Sequence, residues 1–186
     1  MDKQEVLDQA KKETLANSEL FEQKIKPASE VALMGKPGPK KWSPLDCIEH
    51  LNEVGKIYLP RMELALRQFP SQNITASDTY SPGILGSYMA RTMKLKSDHR
   101  VPFNMKTFNN LKPGGGTKAS NDILNEFVRQ QETMLELIDK SHAVDLGKIK
   151  ITSAIGIVLR FKLGDCFQFL INHTQRHLWQ AIRGLE

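Results

Sequence analysis

Two histidines, His173 and His177, stand four residues apart in the stretch Asn172-His173-Thr174-Gln175-Arg176-His177-Leu178-Trp179-Gln180. In a helix, positions i and i+4 share one face, so both imidazoles point the same way. Two neutral ring nitrogens side by side are the means by which a helix grips a transition metal. A bare pair of this kind is more often a surface or core-edge feature, and the H-E-x-x-H pattern of zinc proteases is absent. Two ligands also leave a metal's shell unfilled. His50 is the candidate third, because it sits at the edge of the apolar arc of another helical segment, as the pair does on its own. Three histidines leave one or more coordination positions for water or substrate, the pattern of a catalytic rather than a structural site. Nickel, zinc and iron all suit imidazole, so the ligand chemistry does not choose among them.

Other residues compete for roles around this set. Glu49 and Glu53 flank His50 and are candidates for a carboxylate that orients a ligand or takes a proton. Solvated helix charges are the commoner explanation of such acids. Arg176 and Gln180 are candidates for contact with a substrate or with the surroundings of the metal, or else decorate the surface. Cys47 and Cys166 each face roughly toward a histidine on the same helix. Two inert, half-buried thiols in a reducing compartment explain them better than a Cys–His nucleophile does. His99 and His142 fall in loops without a partner signal.

The composition narrows the class of protein. The chain has 186 residues, 40% hydrophobic, with a formal net charge of +5 and a mean hydropathy of −0.40. That length suits a single domain over residues 1–186 with a sizeable core. No apolar run approaches the ~20 residues of a membrane helix, and the start Met1-Asp2-Lys3-Gln4-Glu5 lacks a signal-peptide core, which favours the cytoplasm. Two cysteines make no disulfide framework. The basic residues are scattered rather than run together, so a mildly charged surface explains them better than a nucleic-acid interface.

Helical segments must position the histidines. Apolar residues from Val6 to Ile25 recur at helical spacing over about 2–25, and Pro27 should kink or end that segment. A short turn over 29–34 and the connector Gly35 to Lys41 follow. Ser43-Pro44-Leu45-Asp46 then puts a hydroxyl at the N-cap, proline at the first helical position and an acid at the third, the start of a helix running to about Phe69. Pro60 should bend that helix or split it. Residues 70–118 read as a long loop with a short helix after Pro82-Gly83, and Gly114 to Gly116 as a flexible hinge. A third long helix spans about 120–141. Residues 142–160 are strand-like in composition, but no second strand of comparable strength is evident, so an extended loop is expected. The last helix covers about 163–183. Four long helices without a convincing sheet predict an all-α four-helix bundle with a long central loop and short-helix insertion. Trp42 would close one end of it.

Two motifs add a resemblance to a known family. Trp42-Ser43-Pro44-Leu45-Asp46-Cys47-Ile48-Glu49-His50-Leu51 resembles the W-S-x-x-[ED]-x-x-x-H-L signature of the DinB-like superfamily of metal-dependent enzymes. His173-Thr174-Gln175-Arg176-His177-Leu178-Trp179-Gln180 looks like that family's closing H-x-x-[RH]-H-x-x-Q segment. The resemblance implies an up-down-down-up bundle and a divalent metal on His50, His173 and His177. It further implies a hydrolase or a thiol S-transferase acting on a small molecule, in some relatives a low-molecular-weight thiol. The alternative is a non-catalytic metal-binding or stress-response protein with a vestigial site. A homodimer through an apolar helix face is compatible with the pattern, and neither membrane nor nucleic acid is an expected partner.

Overall fold

The computed structural model describes residues 1–69, 77–95, 107–114, 118–154 and 156–186. Six helices and one hairpin follow in order: α1 (Lys3–Lys24), α2 (Glu30–Met34), α3 (Pro44–Gln68), α4 (Ile84–Met93), α5 (Ser120–Lys140), β1 (Lys150–Ser153), β2 (Gly156–Lys162) and α6 (Leu163–Leu185). The fold is all-α with one small sheet.

The start of α3 forms as its sequence predicts. Ser43 Oγ accepts the Asp46 N–H at 3.0 Å, and Asp46 Oδ2 accepts the Ser43 N–H at 3.0 Å, a reciprocal cap with Pro44 just inside. The helix runs unbroken through Pro60, so the split does not occur. Asp2 caps α1 and Ser29 caps α2 in the same manner, each through its side-chain oxygen.

The four long helices pack in a ring, α1 against α5 and α6, and α3 against α5 and α6. One core cluster gathers Phe21 and Ile25 from the end of α1, Cys47 and Ile48 from the start of α3, Phe127 from the start of α5, and Leu178 from the end of α6. The other gathers Leu7, Met62, Leu137 and Phe167 from the opposite ends of the same helices. Buried amides fasten the ring where apolar contact alone would let helices slide. Asn52 Nδ2 donates to Ile123 O at 2.8 Å, Gln130 Nε2 to Asn52 O at 3.1 Å, and Asn17 Nδ2 to Ile171 O at 3.1 Å.

α4 lies along α6. Asn172 Nδ2 donates to Ala90 O at 2.9 Å, and buried Asp165 accepts from Tyr80 Oη at 2.7 Å and Gly83 N at 2.9 Å. Gly86 permits this approach, since a Cβ there would stand 2.6 Å from the Cβ of Asp165.

The expectation of an extended loop over 142–160 needs correction. After a short 3₁₀ turn (Ser141–Ala143), β1 and β2 pair antiparallel with Ile151 opposite Phe161 and Thr152 opposite Arg160. The partner strand lies in the same segment, with Ser153 opposite Gly156, which has φ 151°. Ile151 and Phe161 are buried against the helical core, which supplies the burial that an isolated hairpin lacks. Of the expected hinge, Gly114 is described, whereas Gly115 and Gly116, like His99, lie outside the described residues.

Candidate metal centre

His50 lies in the second turn of α3, and His173 and His177 lie midway along α6. The α3–α6 packing brings all three together at 3–8% exposure. Their ring centroids are 4.6–5.0 Å apart, and one nitrogen from each lies within 4.8 Å of the others. Trp42 stands 4.9 Å from His50 and 5.8 Å from His177, while Phe169 stacks on His173 at 5.8 Å. Trp42 thus walls the imidazole cluster and packs, partly buried, on the core cluster at that end of the helices.

Hydrogen bonding fixes one tautomer. His50 Nδ1 lies 2.6 Å from Leu111 O, and a carbonyl only accepts, so Nδ1 carries the hydrogen and Nε2 keeps its lone pair. That Nε2 faces His173 Nε2 at 3.2 Å. Either His173 donates across this gap, or two lone pairs converge and require a cation between them. Two nitrogens bound to one ion at ~2.0–2.1 Å and a tetrahedral angle stand roughly 3.3–3.4 Å apart, close to this spacing. His177 Nδ1 is buried without a hydrogen-bond partner. Gln180 contacts the same ring and opposes part of the fall in its pKa, while Nδ1 keeps a lone pair open to a further group. The cluster could hold a metal ion.

Electrostatics keep the rings in ligand form. Burial is the main reason that the pKa of His50 falls below its ordinary value, against the opposing bond to Leu111. Burial also pushes His173 and His177 well down, reinforced by the neighbouring imidazoles and by the Arg176 guanidinium. All three are neutral at pH 7, the state in which imidazole binds metals.

The cluster forms part of the wall of a cavity of about 330 Å³. Arg176 and Gln180 also line it, beside the histidines. Glu49 and Glu53 do not. Glu49 is 2% exposed, so it is no solvated helix charge; its Oε2 accepts the Gly114 N–H at 2.8 Å, and its Oε1 lies 3.2 Å from Lys118 Nζ. Glu53 lies toward the surface between Lys56 and Lys118. Partial burial opposes its ionisation, yet the two lysines hold its carboxyl below the usual range.

Both thiols are buried, Cys47 with its pKa pushed up to about 12 by burial and Cys166 raised likewise, so neither is a nucleophile at neutral pH. His142 sits half-buried in the turn after α5. Sequence reasoning missed the Leu111 carbonyl and the Phe169 wall. The spacing of Phe169 four residues before His173 carries a signal; a backbone carbonyl brought in from residue 111 carries none.

The family model of the DinB superfamily matches residues 13–181. The chain belongs to the DinB superfamily. The matched span contains all three histidines, the Trp42 wall, the Leu111 carbonyl and Arg176, so the DinB assignment and the clustered imidazoles coincide on the same part of the chain. No curated protein and no solved structure matches this DinB-superfamily chain. Among the described residues, no helix is long and apolar enough to cross a membrane.

Proposed function

We propose that this DinB-superfamily member is a divalent-metal-dependent enzyme with its ion on His50, His173 and His177, acting as a hydrolase or thiol S-transferase on a small molecule. The observation that carries the reading is the buried imidazole cluster opening onto a cavity. When bound, nickel, zinc or iron would lower the pKa of a coordinated water or thiol and make it nucleophilic at neutral pH. The chain's own residues supply the rest. Leu111 O holds the Nδ1 hydrogen of His50 and presents Nε2 to the site. Trp42 and Phe169 exclude water from two sides of the rings. Arg176 and Gln180, on the cavity wall, are placed to orient a substrate.

The core clusters support an up-down-down-up course for the four long helices, because the ends of α1 and α6 meet the starts of α3 and α5. One domain over residues 1–186 accords with the span of the family match. Two buried free thiols accord with a cytoplasmic setting.

One observation favours a second reading, a non-catalytic metal-binding protein. No carboxylate lies among the described residues lining the cavity, so a general base of the usual acidic type is lacking there. Metal analysis of protein purified under metal-replete conditions tests the shared premise. The wild type should carry close to one ion per chain, and His50→Ala should lose affinity by more than the roughly 10–100-fold typical of residues that merely orient a ligand. Unchanged metal content in His50→Ala sinks the site. Turnover of a panel of low-molecular-weight thiols with electrophiles, and of hydrolysable esters and amides, then separates transferase, hydrolase and non-catalytic readings.

A further inference from the structure

Among its described lining residues, the charged side chains of the cavity beside the imidazole cluster are all cationic. Lys40 and Lys41 from the α2–α3 connector and Arg176 from α6 all border it, and no Asp or Glu does among its described lining residues. The cations flank the histidines from two directions, the lysines next to Trp42 and the guanidinium between His173 and His177 in sequence. Arg176 is 6% exposed, and Nη1 donates to Thr92 O at the end of α4 at 3.4 Å, which fixes the side chain in place.

Apart from these cations, the histidines, Thr107 and Gln180, the described lining residues are apolar or aromatic. Val54 and Tyr58 from α3, Met89 and Met93 from α4, and Phe169 from α6 border the same space. The two methionines are adaptable surfaces that fit varied apolar shapes. Tyr58 is not a polar intruder, because its hydroxyl already accepts the Ala154 N–H at 3.1 Å and burial raises its pKa to about 12. A volume of about 330 Å³ falls at the low end for pockets that enclose one small molecule.

We propose that this cavity takes a small organic carboxylate with an apolar body, its carboxylate held by Arg176 and the Lys40–Lys41 pair and its body packed between Tyr58, Phe169 and the α4 methionines. A guanidinium presents a planar donor fork to a carboxylate, and lysines at a mouth attract the anion from solution. The proposal rests on the reading that this cavity is the working site, and it does not require the ion to be bound.

Titration calorimetry with 4-phenylbutyrate, its neutral amide and 4-phenylbutylamine tests it, on metal-stripped and on zinc-loaded protein. The carboxylate should bind at least tenfold tighter than amide or amine in both forms. Arg176→Gln should remove most of that preference while leaving amide affinity within about twofold. The exposed double variant Lys40→Gln/Lys41→Gln should weaken carboxylate binding and its salt dependence, and it serves as the readout if Arg176→Gln does not fold. Equal affinity for the three probes, no binding of any of them, or a preference untouched by the lysine and arginine changes overturns the proposal. A carboxylate preference confined to zinc-loaded protein also overturns it, since the anion would then be a metal ligand only. A preference kept by protein that binds no metal upholds the anion site while the metal reading fails.

Discussion

Protonation is where the three imidazoles differ most from histidines in an unfolded chain. The folded pKa values of His50, His173 and His177 all lie below 6.5 because burial disfavours the charged ring. Below pH ~6.5 the unfolded chain binds protons that the folded chain refuses, so unfolding becomes easier as pH falls. The stabilising contribution is complete above the unfolded value and disappears as pH falls through the folded values. Each ring held well below its unfolded value contributes a slope of at most about 1.4 kcal/mol per pH unit. Urea denaturation of metal-stripped protein between about pH 7.5 and 5 measures it, and a flat profile would contradict neutral burial of the rings. Ser43 offers a second test, because its hydroxyl sits at the head of the helix that carries His50. Ser43→Ala should destabilise by about 1 kcal/mol, read as a lower denaturation midpoint with an unchanged m value.

Between elements, the segment 107–114 is held against α3 at two points, Leu111 O on His50 and Gly114 N on Glu49. Glu49→Gln keeps the size of the side chain but removes the charge facing Lys118. It should cost about 1–3 kcal/mol of stability and weaken zinc affinity by about tenfold through the loosened Leu111 contact, measurable by competition with a chromophoric chelator. Unchanged affinity in a folded variant would uncouple the segment from His50. The contact of α4 with α6 makes an independent case. Gly86→Ala drives a methyl into Asp165 and should destabilise by about 1–3 kcal/mol, visible as a lowered thermal midpoint. These relations mark where sequence legibility ends. The Ser43–Pro44–Asp46 start and the i, i+4 histidine pair are local patterns, and local chemistry makes them readable. Four long helices were legible for the same reason, from apolar spacing that needs no partner to be recognised. The hairpin was not, because the strand character of Ile151 and Phe161 becomes decisive only when the two are paired and buried together. Glu49 was misjudged as solvated since the residues that bury it arrive from 65 positions away.

For the molecule as a whole, the proposed centre joins α3 to α6 across 123 residues of sequence, so an ion there binds only the folded chain. At a hundred times its dissociation constant such a ligand adds about 2.7 kcal/mol, which for a chain of this length raises the thermal midpoint by roughly 5–10 °C. Calorimetry before and after chelation should show that drop in the wild type and none in His173→Ala; equal behaviour of the two would contradict the site. α6 is the common neighbour of α1, α3, α4 and both strands, and 16 of its residues are buried. It also follows every other element in the chain, which bears on biosynthesis. While the ribosome is still delivering the earlier helices, their faces toward α6 have nothing to close against and depend on chaperones or on loose mutual association. The nascent chain at that stage displays His50 by itself, and a lone imidazole retains no ion. Metal loading at the proposed centre therefore waits for residues 163–185 to emerge and dock.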